Sequence, residues 1–496
     1  MPRLKINRHR LREGWLLLAL GCVSGLTRGI APAFYVLLGF GVLLTTRVVL
    51  RTLRSPEHLN AFSFFNLSVM IGYILGPSIA ALYWAANPGA PVRSYVGPFA
   101  IDGYRDYLSL GLMTAYLAGG MLVLVEGIIH PISRISGSVQ LVLRREDVVF
   151  IAVVLLLVGG AFASGSLGYM GVISGQEGEI TVLGGIAGSI LPAIVPVLVY
   201  AVANRAERST RRLCYLIVLG GATISLAIMG RRNLIFALFV ALVFVSLARP
   251  AIRRFFRPLG PLANPKKAIL VGAMLTMLMV GIGGFTALRV ATWELGEESP
   301  LVDRIDRSAA ILLEGSDTLG TQLSGVAMAR PGTLPGYLGQ LEAIPGHLML
   351  GRCLAYNVLT AVPRLVLPNK GRVLNEFQCT DESVNARFGL PPIDSPTTVL
   401  TRGYVDFAVP GALMYVVLIA AVFQLAGQIV DRSSILSFRL LGLSMILNAV
   451  LFVEQDLSFY FVTIRNLVVL YVVAVIVRFV SGVVSLGLSL PQEQSP

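Results

Sequence analysis

The chain has 496 residues, 55% hydrophobic and only 14% charged, with a mean hydropathy of +0.76 and a formal net charge of +13. A soluble domain carries nearer a quarter charged residues, so this composition excludes an ordinary globular or disordered chain. Apolar runs of bilayer length recur along almost the whole sequence, and a helix of about 20 residues crosses a hydrocarbon core of about 30 Å. Only helices and closed barrels satisfy the backbone inside a bilayer, and these runs lack the alternation of barrel strands. The reading is an all-α polytopic membrane protein of about 12 transmembrane helices with one large, partly helical periplasmic loop.

In chain order, spans are expected near 14–28, 30–47, 61–84, 107–129, 148–164, 181–203, 213–229, 233–248, 268–289, 405–428, 438–454 and 466–485. The first follows the basic stretch MPRLKINRHRLR, but GCVSGLTRGIAP makes a poor cleavage site, so it reads as a retained helix. Three parts result: a membrane domain of nine spans over 1–289, the loop over 290–404, and a last membrane domain with the tail over 405–496. Small residues in LGGIAGSI and IGYILGPSIAA suit helix packing in lipid.

With both termini cytoplasmic, the inner segments and their helix ends hold about 24 of the 40 basic residues. The short outer connections hold only about 6, and only short loops count in the positive-inside rule. The positive charge is therefore a topology signal and a contact with anionic membrane lipid. No stacking aromatics interleave the basic runs, so nucleic acid is not expected as a partner.

Between the seventh and eighth spans stands AIMGRRNLIF, which puts Arg231 and Arg232 on an outer hairpin. Arginine beside a bilayer can snorkel to headgroups. Its fork also binds phosphate bidentately, and the helix starting at Asn233 would add its dipole. Both readings stay open at this turn.

The long loop carries two helical patterns. SPLVDRIDRSAAILLEGSDTLG has Leu301, Ile305, Ala309, Leu312 and Leu313 at helical spacing, with Arg304 and Arg307 on another face. LGQLEAIPGHLMLGRCLAYNVLTAV is a second amphipathic segment, broken at Pro345–Gly346 as a helix pair lying on a membrane would be. The stretch PRLVLPNKGRVLNEFQCTDESVNARFGLPPIDSPTTVLTRGYVDFAVPG lacks a helical period and is dense in charged groups, as loops that carry chemistry are.

Here the chain resembles a family. VPRLVLPNKG is similar to a "PR…P-x-K" stretch late in the large periplasmic loop of bacterial oligosaccharide repeat-unit polymerases, the Wzy-type O-antigen polymerases. DSPTTVLTRGYVDFAVPGALMYV resembles the segment that follows it there, and IMGRRNLIF a mid-chain glycine–arginine element. The matching positions are Arg231; Pro363, Arg364, Pro368 and Lys370; and Tyr404, Phe407 and Gly411. Two positions depart: Arg402 and Gly403 stand where an acid usually precedes the tyrosine, and Ala408 where glycine is common.

The resemblance implies a metal-independent glycosyltransferase without a cofactor. It would join a growing glycan on undecaprenyl diphosphate to a new lipid-linked repeat on the outer face of the bacterial inner membrane. The expected partners are undecaprenyl-diphosphate-linked oligosaccharides, membrane lipids, a chain-length regulator and a flippase. Fixed cations can balance charge on the leaving diphosphate, and the attacking hydroxyl needs a base. His347 is the one histidine on the outer side, since His9, His58 and His130 fall inside. Asp406, Glu376, Asp381 and the Glu454–Asp456 pair compete with it for the base, although the last pair could simply meet Arg465. The catalytic candidates are His347, Asp406 and Arg364; the substrate-binding candidates are Arg231, Arg232, Lys370, Arg372, Arg402 and Tyr404. No metal-ligand spacing and no nucleotide-binding loop is present.

Two other functions fit the layout. An O-antigen ligase uses the same donor, and a flippase moves the lipid-linked repeat; a flippase would show paired halves and mid-bilayer polar groups. Of four cysteines, Cys22 and Cys214 lie in spans, whereas Cys353 and Cys379 share the outer loop, 26 residues apart. These two either form a disulfide or remain separate thiols, as their distance in the fold dictates.

Overall fold

The structure is a computed structural model that describes residues 7–54, 61–86, 104–128, 145–163, 299–314, 334–390 and 396–487, except Pro345, His347, Leu365 and Phe452, together with isolated positions between 186 and 296. Among the described residues every regular element is helical. Among the described residues five helices are long and apolar enough to cross a membrane: Ala31–Thr52, Ala61–Ser78, Arg105–Ile128, Val399–Asp431 and Leu457–Val480. The expected spans near 181–203, 213–229, 233–248 and 268–289 lie almost wholly outside the described residues.

The chain forms two compact units. The first takes in Met1–Ile135, Ala251–Gln424 and Ala449–Phe461; the second takes in Ser136–Pro250, Leu425–Asn448 and Val462–Pro496. In the first unit, α1 (Arg8–Leu26) starts at Asn7, whose side chain accepts from the Arg10 N–H at 3.3 Å. Its buried face repeats at helical spacing through Arg10, Gly14, Leu17, Gly21 and Ser24. That face lies antiparallel on α5 (Tyr104–Ile128): Gly14 meets Leu124 and the Gly120 carbonyl, and Gly21 meets Leu117 and the Met113 carbonyl. Small residues allow this approach where lipid supplies no hydrophobic drive between helices.

One end of the pair is polar. Arg10 donates to Thr52 on α2 (Ala31–Arg54) at 2.7 Å and lies 3.4 Å from Glu126 and 3.8 Å from Glu13. Arg51 reaches Glu13 at 2.9 Å, and Ser63 donates to Glu126 at 2.8 Å.

The third expected span is not one regular helix. It runs as α3 (Ala61–Val69), a π-helical turn (Met70–Leu75) and α4 (Gly76–Ala86). Pro77 follows the π turn, and its missing N–H cannot continue a regular ladder. The widened turn holds buried Tyr73, whose hydroxyl bonds Thr398.

The loop region is also helical: α7 (Leu301–Glu314), α8 (334–343), α9 (Arg352–Ala361), α10 (Lys370–Phe377) and α11 (Asp381–Arg387), numbered after α6 (Arg145–Ala163) of the second unit. On α7 the buried positions are Ser308 and Ile311, the latter packing with Ala287, Val290 and Ala291. Its expected apolar face, Ile305, Leu312 and Leu313, points outward. Helix α8 crosses α5 closely and in the opposite direction. A methyl on Gly339 would overlap the Tyr107 carbonyl, and one on Gly111 would overlap the Pro335 carbonyl. Near this crossing the Thr114 hydroxyl of α5 acts on Glu342.

Helix α12 (Val399–Asp431) breaks at Phe407 and Ala408, where φ is −141° and 57°. The first piece, 399–406, folds back so that Gly403 contacts Gly411 of the second. Pro410 then sits in the first turn of the second piece, where its lack of an N–H costs nothing. The boundary expected at 404/405 thus lies inside the first piece, and the chain turns at 407–408.

The second unit contains α6 (Arg145–Ala163), α13 (Leu436–Leu451) and most of α14 (Leu457–Gly487). Phe438 packs edge-on against Phe150 at 6.0 Å and tilts on Tyr471 at 5.7 Å. Arg439 pairs with Asp431, and Arg478 donates to Ser434 at 2.6 Å.

Candidate functional site

The two loop stretches that carry the resemblance meet on one helix. Asp406, fully buried, accepts from the N–H groups of Cys353 and Leu354 at 3.0 Å each, at the start of α9. Lys370 donates to the carbonyls of Thr360 and Val362 at 2.6 and 2.8 Å, at its end. An anion at the N-terminus and a cation at the C-terminus both complement the helix dipole and satisfy groups the helix leaves unpaired. The clamp is reciprocal, because Met349 and Leu350 donate to the Val405 and Asp406 carbonyls that end the first piece of α12. Tyr415 adds a 2.6 Å bond to the Asp406 carboxylate.

A disulfide joins Cys353 to Cys379 with Cα atoms 5.0 Å apart, which closes the alternatives left by the sequence. It lies in an apolar cluster with Tyr337, Leu341, Val384, Phe388 and Val405. Against it stands Arg402, 2% exposed. Its guanidinium meets Asp456 at 2.8 Å and Asp381 at 2.7 Å, and donates to the Cys379 sulfur at 3.2 Å. Local structure positions this arginine. Thr398 and Thr401 exchange bonds between side chains and backbone N–H groups (2.7 and 3.3 Å), as in a capping box, so the helix begins one turn before Arg402. Burial pushes the Tyr356 phenol above its ordinary value, with the Arg402 charge opposing.

The structure therefore separates the sequence candidates. Arg402 is engaged by two carboxylates, Lys370 by two carbonyls and Asp406 by three donors, so all three hold the fold of the loop. Asp456 meets Arg402, whereas Arg465 bonds its neighbour Asn466. Arg364 and Arg372 are exposed beside the two ends of the 363–370 stretch, with Glu376 3.9 Å from Arg372. Tyr404 is half-buried against the disulfide cluster. Arg231, Arg232 and His347 lie outside the described residues.

One acid was missed. Glu342 on α8 has both carboxylate oxygens buried without a hydrogen-bond partner. Burial raises its pKa to about 8, and the Thr114 hydroxyl and the Arg28 charge offset only part of this. Its carboxylate also acts on the Tyr404 phenol. The signal in the sequence was a lone acid in LPGYLGQLEAIPG, behind a glycine whose close packing only the fold reveals. Among the described residues no group of three or more acid, histidine or cysteine side chains is placed to hold a metal ion. Comparison with protein-family models, curated proteins and solved structures yields no match.

Proposed function

We propose that the protein polymerises undecaprenyl-diphosphate-linked oligosaccharide repeats into a surface polysaccharide on the outer face of the bacterial inner membrane. Both termini lie in the cytoplasm in this reading, as the bias of short-loop lysines and arginines favours. The observation that carries the reading is the shared clamp on α9. The PR…P-x-K stretch and the GYVDF stretch hold opposite ends of one helix, so the segments that resemble the polymerases form one structural unit. That unit leaves Arg364 and Arg372 exposed on its surface.

The chemistry needs little more. The donor leaves as a diphosphate, and arginine forks beside it balance the charge that develops as the glycosidic bond breaks. Arg364 takes the main part and Arg372 the lesser. Arg231 and Arg232 contribute from the hairpin, and the amphipathic faces of the loop rest on membrane lipid.

Deletion followed by glycan analysis tests the reading. Loss of a polymerase leaves single repeat units on the surface, whereas loss of a ligase leaves long polymer on the lipid carrier. At normal protein level, Arg364→Ala should lower polymer yield by about 10- to 100-fold, in line with about 1.5–3 kcal/mol for a charge-assisted bond to phosphate. Arg364→Lys should recover only part of it, since the charge remains and the fork does not. Full-length polymer from Arg364→Ala would remove the arginine from the site.

A further inference from the structure

The polymerase reading leaves the base that activates the acceptor hydroxyl unassigned, and the structure narrows the choice. Asp406 is saturated by two N–H groups and a phenol. Asp381 and Asp456 neutralise Arg402. Glu376 is exposed on α10 beside Arg372, away from any enclosed site. Among the described residues, Glu342 is the one acid with both carboxylate oxygens covered and neither in a hydrogen bond of ordinary geometry.

From this geometry we infer that Glu342 is the general base, taking the proton of the acceptor sugar hydroxyl. The inference rests on the polymerase reading and deepens it. As the acceptor oxygen bonds the donor's anomeric carbon, its proton passes to a Glu342 carboxylate oxygen. The bond from that carbon to the diphosphate breaks, and its electron pair leaves with undecaprenyl diphosphate. The proton returns to water when product departs, so the carboxylate is regenerated.

Three features fit the role. The residue keeps some exposure while both oxygens are covered, with only the Thr114 hydroxyl nearby, so an entering hydroxyl would supply the hydrogen bond the carboxylate lacks. A site with unmet hydrogen-bonding capacity discriminates strongly for a ligand that supplies the missing partner. The interlocked glycines fix α8 on α5, so the carboxyl sits on a rigid crossing. Finally, a base works best when its pKa lies near the working pH, and the groups around Glu342 leave it there. Thr114 faces it from α5, Tyr404 from α12 and the Arg28 charge from the end of α1; burial outweighs them and holds the pKa at about 8.

The test uses the full-length protein in proteoliposomes with a lipid-linked repeat, measuring kcat/KM across pH 6–9.5 for the wild type, Glu342→Gln and Glu342→Asp. Wild-type activity should rise with pH and level off above about 8. Glu342→Gln should lose about 10²- to 10⁴-fold, the usual range for a general base, and lose the pH dependence with it. Glu342→Asp should restore part of the rate and shift the midpoint. A folding defect is separated by thermal unfolding: the glutamine removes a buried ionisable group, so it should match or exceed the wild type in stability above pH 8. Glu342→Gln with wild-type rate and an unchanged pH limb overturns the role of Glu342 alone. A wild-type protein that makes no polymer overturns the polymerase reading, and this role with it.

Discussion

The α1–α5 pair and the loop helices α8–α11 are both tightly packed, but they hold together differently. Along α1 and α5 the contact is spread over Gly14, Gly21, Gly25, Gly120 and Gly127, with an ionic cluster at one end where Glu13 meets three arginines and Glu126 meets one. The loop instead depends on a few directional links: one disulfide, one carboxylate capping α9, and one arginine between two aspartates. Spread contacts lose a little at each substitution. Concentrated links fail singly, and that is the consequence of building an ordered loop from short helices of 7–10 residues, which are marginal by themselves.

Removing an arginine from each region puts the contrast to its strongest test. Arg402→Met leaves Asp381 and Asp456 facing each other beside the disulfide without a counter-charge. Breaking a buried pair by removing one partner costs about 3–5 kcal/mol. The aspartates keep 31% and 28% side-chain exposure, which places the expected loss toward the lower end. Arg51→Met at the other cluster should cost about 1 kcal/mol or less, because that side chain is 36% exposed and Glu13 retains Arg10. Thermal unfolding in detergent reads both values, and limited proteolysis should open 334–390 in the first variant only. Equal losses would mean the loop is no more concentrated than the helix pair.

The disulfide comes next. Closing a 26-residue loop restricts the unfolded chain by about 3–4 kcal/mol in the chain-entropy model. Cys353→Ser with Cys379→Ser should lower stability by that order and loosen Arg402, whose third contact is the Cys379 sulfur. No cysteine lies in the described part of the α1–α5 interface except exposed Cys22, so reductant should leave that pair intact. Alkylation without reductant, read by mass spectrometry, checks the bridge itself.

Much of the helical class was legible. Apolar runs located α1, α2, α5, α6 and the last three helices because bilayer-length hydropathy is a strong periodic signal. The break in the third span was not, since the π turn at Met70–Leu75 changes no hydrophobic pattern. On α7 the period identified the helix but not which face the protein buries, because apolar residues on a membrane-associated chain need not face inward. Within the site, Lys370, Arg402 and Asp406 stood out as charged residues in a turn-rich loop. Sequence does not distinguish a charge that binds substrate from one that caps a helix. Their partners are 8 to 54 residues away and appear only in the fold. Glu342 was overlooked for the opposite reason: nothing local marks an acid whose neighbours, Thr114 and Tyr404, come from distant helices.

The smallest expected effect probes the turn that joins the two regimes. At Ala408 the chain leaves the concentrated first piece of α12 and enters its long straight piece, with φ 57° and ψ −152°. This is a region that glycine enters freely and a Cβ makes costly by about 1–3 kcal/mol. Ala408→Gly relieves the cost but frees the unfolded chain by about 0.5–1 kcal/mol, leaving a net gain of about 1 kcal/mol. The same substitution at Ala421, exposed in the straight piece of the same helix, should lose about 0.5–1 kcal/mol, since glycine there only adds unfolded-state entropy. The two variants should therefore move the unfolding temperature in opposite directions by a degree or two. The sign carries the argument: destabilisation by Ala408→Gly would show that the turn at 407–408 is an ordinary helical stretch, and that the loop and the straight piece form one continuous helix.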